Sequence, residues 1–599
     1  MLAWTLALVL GACRTPVGVQ ETGFEDVFHS LSRNVLDDGQ PSAASQQILA
    51  LLSQQESFRS DPEAAIARVE DFALAEKNRD LFVVLAELDY ARGLQTGERQ
   101  SFLEAALCAW LYLFSGELQP APDPYAPGFR VACDIYNRGL ARTLRQESGE
   151  MGLESQVVPT RKGDCAIVAS RPGFPFGPEA FSRFLPSDAF RVRGLRERVR
   201  TAGLGVPLIA IRNRGQAPDA TEKHMARSVN LPATALLRFE GGLGDLASGH
   251  MRASLELYAS SDVSTVAIAG HDVPLESDFT TPLAYSLEGA KIWGFSLTGF
   301  LSGRTQDYKP GVYMLEPYQP GKIPIVLVHG TVSNPAVWSE LINGLNLDPQ
   351  VRAHFQFWLA IYNTGNPVLF SAAEIRESLV DLVQTVDPGH EDAANARAVV
   401  VGHSQGGLIA RLLVSGSGDG LWRTISTTPF EEYPLDPEDR KLVRQCLFFE
   451  PLPFVRRAVF IATPHRGSSF AGGIVSALAR ALVSLPKELL SLNGPGRTLP
   501  PELREGMPTS VENMDPDSRF IRILGGLEFA PGVPLHSIIA VDGSGPLEEQ
   551  SDGFVEYRSA HLDQAESEFI VRCGHSCQTE PATVLELRRI LLEHLKSAP

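Results

Sequence analysis

Apolar positions change their spacing twice along the chain, and the three textures predict three kinds of structure. From residue 24 to 150 they recur at helical intervals. Ile66, Val69 and Ala73 set the pattern, and Leu81, Val84, Leu85 and Leu88 repeat it. Leu103, Leu107, Trp110, Leu111 and Phe114 follow, then Phe129, Ala132, Cys133, Tyr136 and Leu144. Ser60-Asp61-Pro62-Glu63 has the form of a helix start, with a cap residue, then proline and an acid in the first turn. Short connections predict antiparallel helical hairpins, arranged as a repeat array or as a small bundle packed on its neighbours.

Between 151 and 320 the runs become short and strand-like, as at Leu204–Ile211 and Met251–Tyr258. The second alternates, with Met251, Ala253, Leu255 and Leu257 on one face and Arg252, Ser254 and Glu256 on the other. Pro- and Gly-rich stretches separate the runs. This pattern predicts a β-rich region, expected to be a sandwich, and it carries no visible chemistry.

From 321 to 599 the strands lose their polar face. Ile323–Val328 is apolar throughout, the mark of a strand buried on both sides. Similar runs stand at Phe355–Tyr362, Ala398–Val401, Ala458–Ala462, Ser537–Val541 and Phe569–Val571, with helical patterns between them. Strand–helix alternation predicts an α/β fold with a mostly parallel sheet, whose ligands gather at the carboxyl ends of the strands.

Composition narrows the function. The chain has 599 residues, enough for two to four domains. Its 53 basic and 71 acidic residues leave a net charge of −18, which excludes a nucleic-acid partner that would need a basic face. No apolar run reaches the roughly 18–20 residues of a spanning helix.

The start of the chain adds a location. Leu2–Leu10 is an apolar run of signal-peptide length, and it ends in Leu10-Gly11-Ala12-Cys13. That ending resembles the lipobox of bacterial lipoproteins, although no Lys or Arg precedes the apolar core. The resemblance implies removal of residues 1–12, lipidation of Cys13 and a lipid anchor in the bacterial cell envelope. Six other cysteines remain, and Cys573 and Cys577 lie two residues either side of His575. An oxidising compartment would allow that pair to form a disulfide bracing the loop.

The strand at Ala398–Val401 runs into Gly402-His403-Ser404-Gln405-Gly406-Gly407 and then into the helical pattern Leu408–Leu413. A G-x-S-x-G between strand and helix lifts a serine hydroxyl out of a tight turn and aims helix N–H groups at the same place. Such a serine needs a base, and the base needs an orienting acid. His594 falls inside the final helix, Thr583–Leu595, which leaves His575 and His561 for the base. His575 follows the last strand and is preferred. Two acids compete: Asp542, which directly ends a strand, and Asp552, ten residues later. Position alone favours Asp542.

Taken together, the motifs resemble the bacterial lipase-like branch of the α/β-hydrolase superfamily. They are His329-Gly330, Gly402–Gly406, Ala462-Thr-Pro-His-Arg-Gly-Ser468, Asp552-Gly-Phe-Val555 and Cys573-Gly-His575. The resemblance implies a Ser404–His575–Asp552 triad and moves the acid to Asp552. It also implies an oxyanion hole from the main-chain N–H groups of Thr331 and Gln405, with His329, His403 and His465 structural. No metal or organic cofactor is required. The expected activity is hydrolysis of an ester or lipid substrate through an acyl-enzyme. Thioester hydrolysis or acyl transfer would use the same residues. The rival class is a membrane-tethered scaffold that grips a protein partner through the helical region. Insertions at 415–454 and 467–531 are candidates for a lid, the second with Ile474, Val475, Leu478, Leu482 and Leu485 at helical spacing, a face that would equally serve to pack on the sheet.

Overall fold

The computed structural model describes residues 18–213, 220–226, 229–289, 309–469 and 509–597. Four long helices dominate the first part: α1 (Pro62–Glu76), α2 (Arg79–Thr96), α3 (Arg99–Phe114) and α4 (Pro127–Leu144). The start signal at residue 60 is real. Asp61 is the N-cap, its carboxylate accepts the Ala64 N–H at 3.2 Å, and Pro62 opens the helix. Every residue of α3 from Ser101 to Leu113 is buried. A helix buried all round must lie between two layers, and the second layer here is a sheet.

That sheet has six strands: β1 (Gln156–Pro159), β2 (Asp164–Gly173), β3 (Phe181–Pro186), β4 (Val206–Arg212), β5 (Asn230–Glu240) and β6 (His250–Ala259). Their order is β1-β2-β6-β5-β4-β3, with only β2 and β6 parallel. The alternation in β6 is borne out, with Met251, Ala253, Leu255 and Leu257 buried. They face the helices and not a second sheet, so the expected sandwich is corrected to a helix-on-sheet layer. The Tyr136 hydroxyl of α4 donates to the Leu237 carbonyl at 2.6 Å and accepts the Leu237 N–H at 2.9 Å. On the other face Val157 and Val168 stay exposed. One buried face explains the alternation; the sequence pattern does not say what buries it.

Arg161, between β1 and β2, ties the two layers together. Its guanidinium meets Glu70 of α1, Asp89 of α2 and Glu104 of α3, the last at 3.0 Å. All four side chains are buried. Burial pushes the Asp89 and Glu104 carboxyls up, against the pull of Arg161.

The carboxyl-terminal sheet has seven strands: β7 (Gly311–Met314), β8 (Ile323–Val328), β9 (Phe355–Ile361), β10 (Ala398–His403), β11 (Val455–Ile461), β12 (Leu535–Val541) and β13 (Ser567–Arg572). The order is β7-β9-β8-β10-β11-β12-β13, parallel except for the edge strand β7. The apolar runs have a direct cause. Val326, Val328, Val400 and Phe460 enter one core with helices α5 (Val368–Val386) and α6 (Gln405–Leu413). Ile325, Leu327, Val399, Val401 and Val459 enter the opposite core with α8 (Pro581–Lys596). With both faces covered, most positions are apolar, and polar exceptions such as Gln356 and His536 are buried with hydrogen-bond partners.

The 415–454 insertion packs into the core. Trp422, Phe430, Phe449 and, from its helix α7 (Pro437–Leu447), Val443 pack into the core shared with α5. Large aromatic side chains gain more from that burial than from exposure over a cleft. Among the described residues, no helix is long and apolar enough to cross a membrane.

Replacing Arg161 by alanine is expected to leave the buried Asp89 and Glu104 without their cation, while Glu70 keeps Lys162 at 3.2 Å. Breaking a buried ion pair from one side costs about 3–5 kcal/mol. Urea denaturation followed by circular dichroism should show an earlier transition; an unchanged midpoint would contradict the role given to Arg161.

Candidate active site

Strand β10 ends and α6 begins within one residue, and that residue is Ser404. Its backbone sits at φ +55°, ψ −126°, a strained conformation for a residue with a Cβ. The Ser404 N–H donates to the Ile461 carbonyl of β11 at 2.9 Å, which holds the turn. The flanking glycines are required by contact. A Cβ on Gly402 would stand 2.4 Å from the Gly406 carbonyl oxygen, and one on Gly406 would stand 2.2 Å from that of Val328.

His575 lies on the segment between β13 and α8. The Ser404 hydroxyl donates to its Nε2 at 2.9 Å, and its Nδ1–H donates to Asp552 Oδ2 at 2.7 Å. Both distances fall within the roughly 2.6–3.2 Å that proton transfer requires. The other Asp552 oxygen accepts the N–H groups of Phe554 at 2.8 Å and Val555 at 2.7 Å. The carboxylate is therefore aimed by its own turn, and it is 4% exposed. Asp542, at the end of β12, is exposed to solvent. Of the two acids, Asp552 meets the histidine.

Thr331 and Gln405 come together beside the serine. The Thr331 hydroxyl donates to Gln405 Oε1 at 2.6 Å. Gln405 is the first residue of α6, so its N–H has no partner within the helix. Next to Thr331, Val332 has φ +50° and donates its N–H to the Thr364 hydroxyl at 3.1 Å.

Three other histidines surround the site. His403 donates from Nε2 to the His575 carbonyl at 2.9 Å, and the two rings lie 5.0 Å apart. Burial pushes its pKa down to about 3, helped by the neighbouring His575, so it stays neutral. His329 stacks on Tyr362 at 4.7 Å, and the Tyr362 hydroxyl donates to the His329 carbonyl at 2.5 Å. Burial alone takes His329 down to about 4. His465 is buried against the edge of Phe460 at 4.8 Å, and neither ring nitrogen bonds a described residue. His561 pairs with Glu568 and Asp563, and His594 with Arg397 and Arg457, away from Ser404.

Cys573 and Cys577 are both free thiols, contrary to the expected disulfide. Their mutual contact holds Cys573 below the usual thiol range and pushes Cys577 well above it. The sequence reading also missed Tyr362 and Phe554, whose ring lies 5.1 Å from that of His575. Tyr362 belongs to no motif named above, and Phe554 stands within Asp552-Gly-Phe-Val555 with no role assigned to it. Cys13 and the apolar positions 474–485 lie outside the described residues.

The strand order, the turn and the hydrogen-bonded serine, histidine and aspartate define a class. Residues 325–587 match the model of the alpha/beta hydrolase family. Among solved structures, the chain is similar to a lipase of Bacillus licheniformis in mature form, at 14% identity over 47% of this chain and 97% of that one, with a TM-score of 0.29. It is also similar to EstA from Clostridium botulinum, at 12% identity, 47% and 90% coverage and a TM-score of 0.31. A Staphylococcus hyicus lipase gives 14% identity, 47% and 99% coverage and a TM-score of 0.28. No curated protein matches the chain.

Gly406→Ala should disrupt the turn, because its new Cβ meets main-chain and not flexible side-chain atoms. Overpacking of this kind costs about 1–3 kcal/mol or more. Thermal melting should show a lower transition, and a wild-type melt would contradict the contact.

Proposed function

We propose that the protein is a serine hydrolase of carboxylic esters, with Ser404 as nucleophile, His575 as general base and Asp552 as the acid that orients it. The observation that carries this reading is the continuous hydrogen-bond chain from Ser404 through His575 to Asp552, set on a strand-to-helix turn. Each link has a task. His575 Nε2 takes the serine proton as the oxygen attacks the ester carbonyl. Asp552 keeps Nδ1 protonated, so that Nε2 is the basic nitrogen, and stabilises the imidazolium that forms. The main-chain N–H groups of Thr331 and Gln405 receive the oxyanion. The imidazolium then gives its proton to the leaving alcohol. Water, activated by the same nitrogen, cleaves the acyl-enzyme and restores the serine.

The second half of the proposal is a lipid anchor. Cys13 directly follows Leu-Gly-Ala after an apolar run, the setting in which a lipoprotein peptidase cleaves. An anchored esterase would act at the envelope surface, where ester-linked lipids are concentrated. Palmitate should label the protein in a bacterial host, and Cys13→Ser should abolish both the label and the need for detergent. A Cys13→Ser protein that stays membrane-bound would refute the anchor and leave the catalytic reading untouched.

Ser404→Ala should reduce turnover of a short p-nitrophenyl ester by on the order of 10⁶-fold. Circular dichroism should show the same fold. Activity within about tenfold of the parent would remove Ser404 from the mechanism.

The two acids offer a sharper comparison. Asp552→Asn should cost roughly 10⁴-fold through loss of the correct tautomer. Asp542→Asn, at an exposed site, should leave kcat near the parent value. Parallel kinetics in which Asp542→Asn is the worse variant would overturn the assignment.

A further inference from the structure

A second concave site lies between the helical layer and the six-stranded sheet, and it shares no residue with the Ser404 site. It is a groove of about 680 Å³ along α4, bordered by the start of β4. That volume lies in the range of ligand-binding clefts. Ala141, Val206 and Pro207 give it an apolar wall.

Five arginines line the groove. Two are already neutralised: Arg130 pairs with Asp134 at 2.6 Å, and Arg200 pairs with Asp188 and, at 2.6 Å, with Glu276. Arg138, Arg142 and Arg145 have no ion-pair partner among the described residues. Arg138 makes only a long bond of 3.4 Å to the Leu36 carbonyl, and Arg142 lies 5.5 Å from the Phe102 ring centre. The three stand at the carboxyl end of α4: Arg138 and Arg142 lie one turn apart on the helix, Arg145 is its extended C-cap residue, and all are exposed.

This arrangement runs against the rest of the chain. Acids outnumber bases 71 to 53, so carboxylates to pair with are plentiful. Like charges at i, i+4 repel, and the three acids that also line the groove, Asp134, Asp188 and Glu276, do not fully offset its five arginines. An anion would. A guanidinium presents a planar fork that matches two oxygens, so one arginine saturates a carboxylate. Three forks around one cleft match a tetrahedral group with more oxygens and more charge.

We propose that this groove binds the phosphate group of a phosphorylated ligand through Arg138, Arg142 and Arg145. The organic part of the ligand lies against the wall of Ala141, Val206 and Pro207. The phosphate belongs either to a small soluble molecule or to a lipid headgroup, and the two sources separate in the test.

Calorimetry of the purified chain with glycerol 3-phosphate and with pyrophosphate probes the soluble source. Cosedimentation with phosphatidylcholine vesicles, with and without phosphatidic acid, probes the headgroup. The proposal expects saturable binding in at least one arm. It expects that binding to weaken by roughly tenfold for each arginine replaced by glutamine, up to the triple variant Arg138→Gln/Arg142→Gln/Arg145→Gln. The melting temperature and ester hydrolysis should stay unchanged. Should the triple variant fail to fold, the single variants Arg138→Gln and Arg145→Gln, at exposed positions, carry the same comparison. No binding in either arm, or parent-like binding by the variants, overturns the proposal.

Discussion

Everything at the candidate site depends on one strained residue. Ser404 has to hold a positive φ at the point where a buried strand becomes a helix, and the surrounding backbone enforces it. Strand β11 takes its N–H, and the Val328 carbonyl leaves no room for a Cβ at Gly406. Strain of this kind costs of order 1–3 kcal/mol and persists only where the structure over-determines it. The return is geometric. The hydroxyl clears the backbone, the helix N–H groups point at the same space, and the histidine from the far end of the chain can reach it.

The same turn explains why the neighbouring histidine is neutral and buried. His403 precedes the nucleophile and reaches across to the His575 carbonyl, so the strand end holds the loop carrying His575 by a direct bond. Asp552 closes the arrangement from a third segment, held by its own turn at Phe554 and Val555. Three parts of the chain, more than a hundred residues apart at the widest separation, are thus locked by hydrogen bonds whose donors and acceptors are almost all withdrawn from solvent.

How much of this could be read from residues alone varied with the physics behind each feature. Strands buried on both faces announce themselves, because nearly every position is apolar, and all the apolar runs from Ile323 onward are strands. The serine turn is equally readable, since its glycines are demanded by contact distances. The acid is not. Asp542 occupies the obvious place at a strand end, whereas Asp552 arrives by a loop that folds back, with the Asp542 N–H bonded to the Ser551 carbonyl at 2.8 Å. Spacing does not encode that return; only the family resemblance did. In the middle region the alternation in β6 correctly marked one buried face, but helices and a second sheet bury such a face equally well. The length of the 415–454 insertion likewise does not declare whether it covers a cleft or packs into the core, as Trp422, Phe430 and Phe449 do.

The central claim is that Ser404 is an activated nucleophile and not an incidental serine in a tight turn. Labelling with a fluorophosphonate probe tests this directly, because the probe reacts only with a serine whose proton is being drawn off by a base. The account predicts a single stoichiometric adduct that peptide mass mapping assigns to Ser404, and much slower labelling in Asp552→Asn. A folded protein that takes up no probe, or takes it up at another residue, would contradict it.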